Sequence, residues 1–248
     1  MRTVYLLCAA ISCVAVKALA TKNNWRLLPN TFTHVEEIPA PPNYVRKPLP
    51  AASFGHYLRR QPLQKSRTVL LHNGLPKANQ YAQFAVLGLA MVPGDLQQCA
   101  DAIMRLRAEY LRSLGLPVVF KDSRGTAYHW PGMQHRGWQG YLMQVFAMCG
   151  TASLANMLKS ISWPHIQVGD VVIKPGYPGH AMLVIDVAEH VRTGEKIFML
   201  AQSYMPAQQM HIVVNPASGG FSPWYTLPVN GELITPEWVF GGEALRRW

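Results

Sequence analysis

Long apolar runs are scarce in this chain; the longest, Val4 to Val16, lies within the first twenty residues. It is too short and too poorly flanked to be a membrane span, so no transmembrane segment is expected in the mature chain. Cysteine is scarce too. Four in 248 residues do not make a disulfide scaffold, and no cysteine pair is spaced for zinc. The histidines His129, His135, His165, His180, His190 and His211 show no close ligand spacing either. There is no phosphate-cradling glycine loop and no G-x-S-x-G elbow. Neither a metal nor a cofactor is expected. Acidic residues are few, 13 against 23 Lys and Arg, which leaves a formal charge of +10. No basic run is interleaved with aromatics as a nucleic-acid groove needs, so nucleic acid is not an expected partner. The basic excess reads either as a generally soluble surface or as attraction to an anionic cell-wall polymer or lipid headgroup.

What the chain has is a globular composition, 49% hydrophobic with 19 Gly and 19 Pro. Arg2, the apolar run and Ala18-Leu19-Ala20 form a charged region, a hydrophobic region and an A-x-A site, so residues 1–20 are expected to be an export signal. The product would be periplasmic or secreted. Ser12-Cys13 is followed by more apolar residues, which makes a lipoprotein the weaker reading. Residues 21–50 carry Pro29, Pro39, Pro41, Pro42, Pro48 and Pro50, and read as an extended arm. Residues 51–248 read as one domain.

Within that domain Ser53 caps a short helix bearing Phe54, Tyr57 and Leu58. Val69-Leu70-Leu71 and Ala82–Leu89 read as strands. Leu96, Cys99, Ile103, Leu106 and Tyr110 recur at helical steps, predicting a helix over Asp95–Leu114 that Asp95 caps. A second helical stretch runs from Trp138 to Ser160, interrupted by Gly150. After Pro164 come short β-rich runs: Val171–Ile173, Ala181–Val187, Ile197–Ala201 and His211–Val214. Helices followed by strands predict an α+β fold, with helices packed on an antiparallel sheet.

Cys149 precedes Gly150, so a break there puts it at the start of the following helix, where the backbone dipole favours a thiolate. It also lies on an apolar stripe, where free cysteine packs well. His180 opens a strand and is the best candidate base. Asp186, six residues on, is about 20 Å along that strand and cannot pair with it. Gln202, at the end of the next strand, returns toward His180 in a hairpin and can orient its imidazole. Asp170 reads as a turn-former. Arg105 and Arg107 read as helix-surface ion pairs or as anion ligands. Trp130, Trp138, Trp224, Tyr225 and Trp238 line either a groove or the core. A bridge between Cys99 and Cys149 is a further reading.

Two resemblances follow from these residues. The run Leu96-Gln97-Gln98-Cys99-Ala100-Asp101 through Leu111 is one match. Pro178-Gly179-His180-Ala181, Ala201 through Gln208, and Ser222-Pro223-Trp224-Tyr225 are the others. Together they look like an uncharacterised family of exported bacterial proteins, domain of unknown function 4846, over residues 50–248. More broadly, Cys149 on a helix, Gly169-Asp170-Val171-Val172-Ile173, His180 and Gln202 follow an order similar to NlpC/P60 papain-like cell-wall peptidases. Cys149-Gly150-Thr151-Ala152-Ser153-Leu154 also resembles the cysteine segment of bacteriocin-processing peptidases. Most NlpC/P60 members carry Asp before the cysteine, where this chain has Met148.

The resemblance implies a papain-like hydrolase of an envelope amide or peptide bond. Cys149 would be nucleophile, His180 base and Gln202 orienting residue. Arg105, Arg107, Tyr204 and Trp224 would contact a ligand expected to be anionic. The alternative is a noncatalytic envelope module that binds muropeptide, glycan or lipid in the same groove.

Overall fold

The computed structural model describes residues 28–219, 222–229 and 231–248; the expected leader and the first residues of the arm, 21–27, lie outside them. In chain order the regular elements are β1 (Tyr44–Val45), α1 (Phe54–Arg59), β2 (Gln83–Val86), α2 (Cys99–Ser113), β3 (Val118–Lys121) and β4 (Ala127–Trp130). They continue with α3 (Gly137–Met148), α4 (Thr151–Asn156), β5 (Lys159–Ser160), β6 (Val171–Lys174), β7 (His180–His190) and β8 (Lys196–Gln202). Last come β9 (His211–Val213), β10 (Trp224–Thr226), β11 (Glu232–Ile234), β12 (Val239–Gly241) and β13 (Leu245–Arg247).

Nine strands form one sheet in the order β2-β9-β8-β7-β6-β13-β5, with β1 added to β7 and β10 to β8. Its pairings are antiparallel. β3–β4 and β11–β12 form separate two-stranded ribbons. The fold is therefore α+β with an antiparallel sheet, and the helices are short relative to the sheet they cover.

β7 is the spine. Its residues from His180 to Ala188 are all buried, which an alternating half-exposed strand would not show. Ala181, Leu183 and Ile185 pack with α2 and the other helices, whereas Met182 and Val184 pack on the opposite face with Phe198, Leu200 and Phe240. The sheet thus separates a helical layer from a layer capped by the β11–β12 ribbon.

Several local readings shift. Asp95 does not cap α2: its carboxylate accepts the Ala207 N–H and the Gln98 side-chain amide, 2.5 and 3.2 Å away. Gln98 takes the cap position instead, and its N–H donates to Asp101 at 3.0 Å. The helix therefore begins at Cys99. The stretch from Trp138 to Ser160 divides at Cys149-Gly150 into α3 and α4, and its last two residues join the sheet as β5. Val69–Leu71 supplies only isolated bridges, Leu70 with Pro76 and Leu71 with Gln208. Ser53 caps α1 as expected, its Oγ accepting from the His56 N–H.

The described part of the proline-rich segment lies on the sheet. Val35 and Ile38 are core residues, and β1 pairs with the far end of β7. Arg46 from this segment and Arg59 from α1 converge on Asp186, which is fully buried at an irregularity in β7.

Candidate functional site

Antiparallel pairing of β7 with β8, in register at Leu183 and Ala201, returns the end of β8 to the start of β7. His180 Nε2 and Gln202 Oε1 are 2.8 Å apart there. The His180 ring lies 4.6 Å from Tyr204, 5.3 Å from Trp238 and 5.8 Å from Phe240, measured between centroids. Burial among these rings pushes the imidazole down to about 4, against the opposing pull of Gln202. Its other nitrogen, Nδ1, has no hydrogen-bond partner among the described residues.

Behind Gln202 is a buried polar chain. Gln202 Nε2 donates to Glu237 at 2.7 Å and lies 3.3 Å from His211 Nε2. Lys77 Nζ donates to both Glu237 oxygens, at 3.0 and 3.2 Å. Burial and the nearby Lys77 hold His211 well below the usual histidine range.

Cys99 reaches the same strand end from the helical side. It is the first residue of α2, a helix of 15 residues packed against β7. The backbone N–H groups of Ala181, Ala100 and Cys99 lie near enough to favour its thiolate, against the larger effect of burial. Ala181 directly follows His180. Ser203, between Gln202 and Tyr204, fastens this junction: its Oγ lies 3.0 Å from the Gln97 carbonyl and 2.7 Å from that of Gln208. Burial nonetheless pushes the Cys99 thiol up to about 11. Among the described residues no hydrogen bond joins it directly to His180.

A cavity of about 310 Å³ opens here, lined by Cys99, Cys149, Asp95, Asp101, Gly179, Tyr177 and Met205 among others. Its wall carries two carboxyl groups, those of Asp95 and Asp101, and no basic side chain among the described residues. One Asp101 oxygen is buried without a partner, and burial pushes that carboxyl up to about 8. Gly179, the residue before His180, lies on the cavity wall, whereas His180 itself does not.

Cys149 lies between α3 and α4, 6% exposed, with its thiol beside Ser153. Burial pushes it up to about 11 as well. It shares the cavity wall with Cys99, but among the described residues it has no hydrogen bond to His180 or Gln202. Both cysteines are free thiols. Of the expected ligand contacts, only Tyr204 stands beside His180. Arg105 is engaged by Glu109 at 2.8 Å, by Gln97 at 2.6 Å and by the Ala90 carbonyl. Arg107 is stacked over Phe54, Tyr110 and Trp248. Trp224 donates to the Pro39 carbonyl beneath Arg46. None of these three lies on the cavity wall.

Sequence reading missed the placement of Cys99, and with it Lys77, His211 and Glu237. Asp95 fits the cap pattern and Gln98 does not, so the sequence placed the helix start before Cys99, whereas Gln98 takes the cap position in the structure. Among the described residues no cluster of three His, Cys, Asp or Glu could hold a metal, and no helix is long and apolar enough to cross a membrane.

Fold and site together define an α+β protein with a thiol at a helix start and a buried, amide-held imidazole at an adjoining strand end. The chain belongs to the family described as Domain of unknown function (4846), whose matches span residues 35–131 and 115–247. No curated protein matches the chain, and no solved structure does.

Proposed function

We propose that this chain is a papain-like cysteine hydrolase acting on an amide or peptide bond of the cell envelope after export, with Cys99 rather than Cys149 as nucleophile. The observation that carries the reading is the packing of α2, which begins at Cys99, against β7, which begins at His180. In this reading His180 is the base and Gln202 orients it, as on neighbouring antiparallel strands of a papain-like sheet. The six-residue α4 offers Cys149 a much shorter run of aligned peptide dipoles than α2 offers Cys99.

The steps follow from these positions. Thiol and imidazole are both neutral at rest, so the thiol passes its proton to His180 as sulfur attacks the carbonyl carbon. The oxyanion that develops faces backbone N–H groups at the start of α2. The imidazolium then returns the proton to the leaving amine; water, giving a proton to His180, attacks the thioester carbon, and the acyl group leaves as a carboxylic acid while the Cys99 thiol takes the proton back. Asp95 on the cavity wall favours a neutral or cationic group there, against the anionic ligand that net charge suggested, while Asp101 stays protonated up to about pH 8 and adds no charge.

Iodoacetamide labelling of the folded chain, mapped by peptide mass, tests the assignment without a known substrate. Cys99 is expected to label ahead of Cys149, and His180→Ala to slow it at least about tenfold. The rate should fall only as pH approaches about 4, where the imidazole takes up a proton. Labelling of Cys99 that ignores His180 overturns the reading. On peptidoglycan fragments, Cys99→Ala should abolish cleavage and Cys149→Ala should retain it.

The neutral, buried thiol favours a second reading, a noncatalytic envelope module that binds muropeptide, glycan or lipid in the same cavity. It requires that Cys99→Ala leave calorimetric binding of such fragments unchanged.

A further inference from the structure

We infer that Glu237 is a positioning residue: its carboxylate fixes the Gln202 amide so that His180 holds its proton on Nε2 and leaves Nδ1 as the basic nitrogen. The inference rests on the hydrolase reading for its purpose, but its geometry stands apart from either cysteine.

The proton positions follow by elimination. A backbone carbonyl can only accept, so the 2.9 Å contact between His211 Nδ1 and the Gln209 carbonyl puts a proton on that nitrogen. His211 is held neutral, so its Nε2 can only accept. It faces Lys77 Nζ at 3.5 Å and Gln202 Nε2 at 3.3 Å, both donors. The Glu237 carboxylate also can only accept. One of its oxygens takes Asn79 Nδ2 at 3.1 Å, and the other takes Gln202 Nε2 at 2.7 Å. Both neighbours on that side of Gln202 therefore demand its amide nitrogen. Its oxygen is left facing His180 Nε2, which must donate. An amide can present a donor to a carboxylate and an acceptor to an imidazole at once.

Without the carboxylate the shorter of the two contacts holding the amide is lost and His211 Nε2, at 3.3 Å, is the acceptor that remains behind it; the Gln202 amide is then freer to rotate, present its nitrogen to His180 Nε2, and move the imidazole proton to Nδ1. That tautomer has no lone pair on the free side of the ring. Lys77 is buried and depends on Glu237 for its countercharge, so Glu237→Gln is best paired with Lys77→Met to leave a neutral site.

The experiment is nitrogen-15 NMR of histidine-labelled full chain, which reports the protonated nitrogen of each ring. In the unsubstituted protein His180 should carry its proton on Nε2 and His211 on Nδ1; the reverse at His180 overturns the inference with no variant needed. In Lys77→Met/Glu237→Gln the His180 signal should shift to Nδ1–H or to a mixture, and Cys99 alkylation should slow about tenfold or more. Glu237→Asp should keep the Nε2 proton. A His180 tautomer unchanged in the double variant removes Glu237 from the role while leaving the hydrolase reading standing. A tautomer that shifts as expected beside Cys99 labelling indifferent to His180 supports the positioning role and overturns the hydrolase reading instead.

Discussion

Gly179 shows how a single residue controls the site. A β-carbon there would lie 2.3 Å from the Gly176 carbonyl oxygen, 2.6 Å from Thr151 Oγ1 and 2.8 Å from the Lys174 carbonyl oxygen. Thr151 Oγ1 already bridges to Gly176, tying the β6–β7 loop to the start of α4. Backbone cannot yield as a side chain can, so Gly179→Ala must displace the loop and carry His180 with it. The expected cost is about 1–3 kcal/mol in urea unfolding, with slower labelling of Cys99. Gly150 has open space around its β-carbon position, so Gly150→Ala should change stability by less than about 0.5 kcal/mol. The difference between the two glycines lies in atoms brought from other elements.

Among elements, the clamp on β7 joins three parts of the chain. Asp186 takes Arg59 Nε at 2.7 Å and Arg46 Nε at 2.5 Å, and also accepts the Val187 N–H at 2.8 Å. Asp186→Asn keeps the backbone bond and leaves two guanidinium groups without countercharge. Breaking a buried pair from one side costs about 3–5 kcal/mol, and Asp186→Asn should approach that in chemical denaturation. Arg46 is the more exposed partner, so Arg46→Met should cost less. Equal and small losses for both would show that the arm is not held through this contact. The sequence placed Asp186 correctly on the strand and away from His180. It gave no sign of either arginine, because both precede β7 by more than a hundred residues.

Over the whole molecule, the buried titrating groups set opposing dependences on pH. Asp101 is held near 8 in the folded chain, against about 4 when unfolded. Between those values the folded chain keeps a proton that the unfolded chain has lost, so stability falls as pH rises. His180 is held near 4, against about 6.5 unfolded. Below 6.5 the unfolded chain takes a proton that the folded chain refuses, so stability falls as pH drops; His211 has the same sign. The two effects oppose each other from about 4 to 6.5, and above 6.5 the carboxyl acts without opposition from the histidines. Unfolding free energy should therefore decline by up to about 2 kcal/mol from pH 6.5 to 8. Asp101→Asn, which can still accept the Gln98 N–H, should remove that decline. A flat wild-type profile over this range would mean that Asp101 is ionised in the folded state.

By itself the sequence determined the α+β order of elements, the Ser53 cap, the interruption at Gly150 and the hairpin return that pairs Gln202 with His180. These are written in alternation, caps and breakers, whose causes lie within a few residues of their effects. Its long motifs also carried the family. Tertiary structure decided that Cys99 and Cys149 share one cavity wall and that Cys99 begins a helix docked on β7, since in the sequence both occupy helical, apolar positions. It decided as well that Lys77, His211 and Glu237 surround Gln202. Glu237 lies between β11 and β12, far along the chain from Lys77, and no local pattern connects them. Burial made that connection, because an amide, a carboxylate and an ammonium drawn from water into one place must satisfy one another.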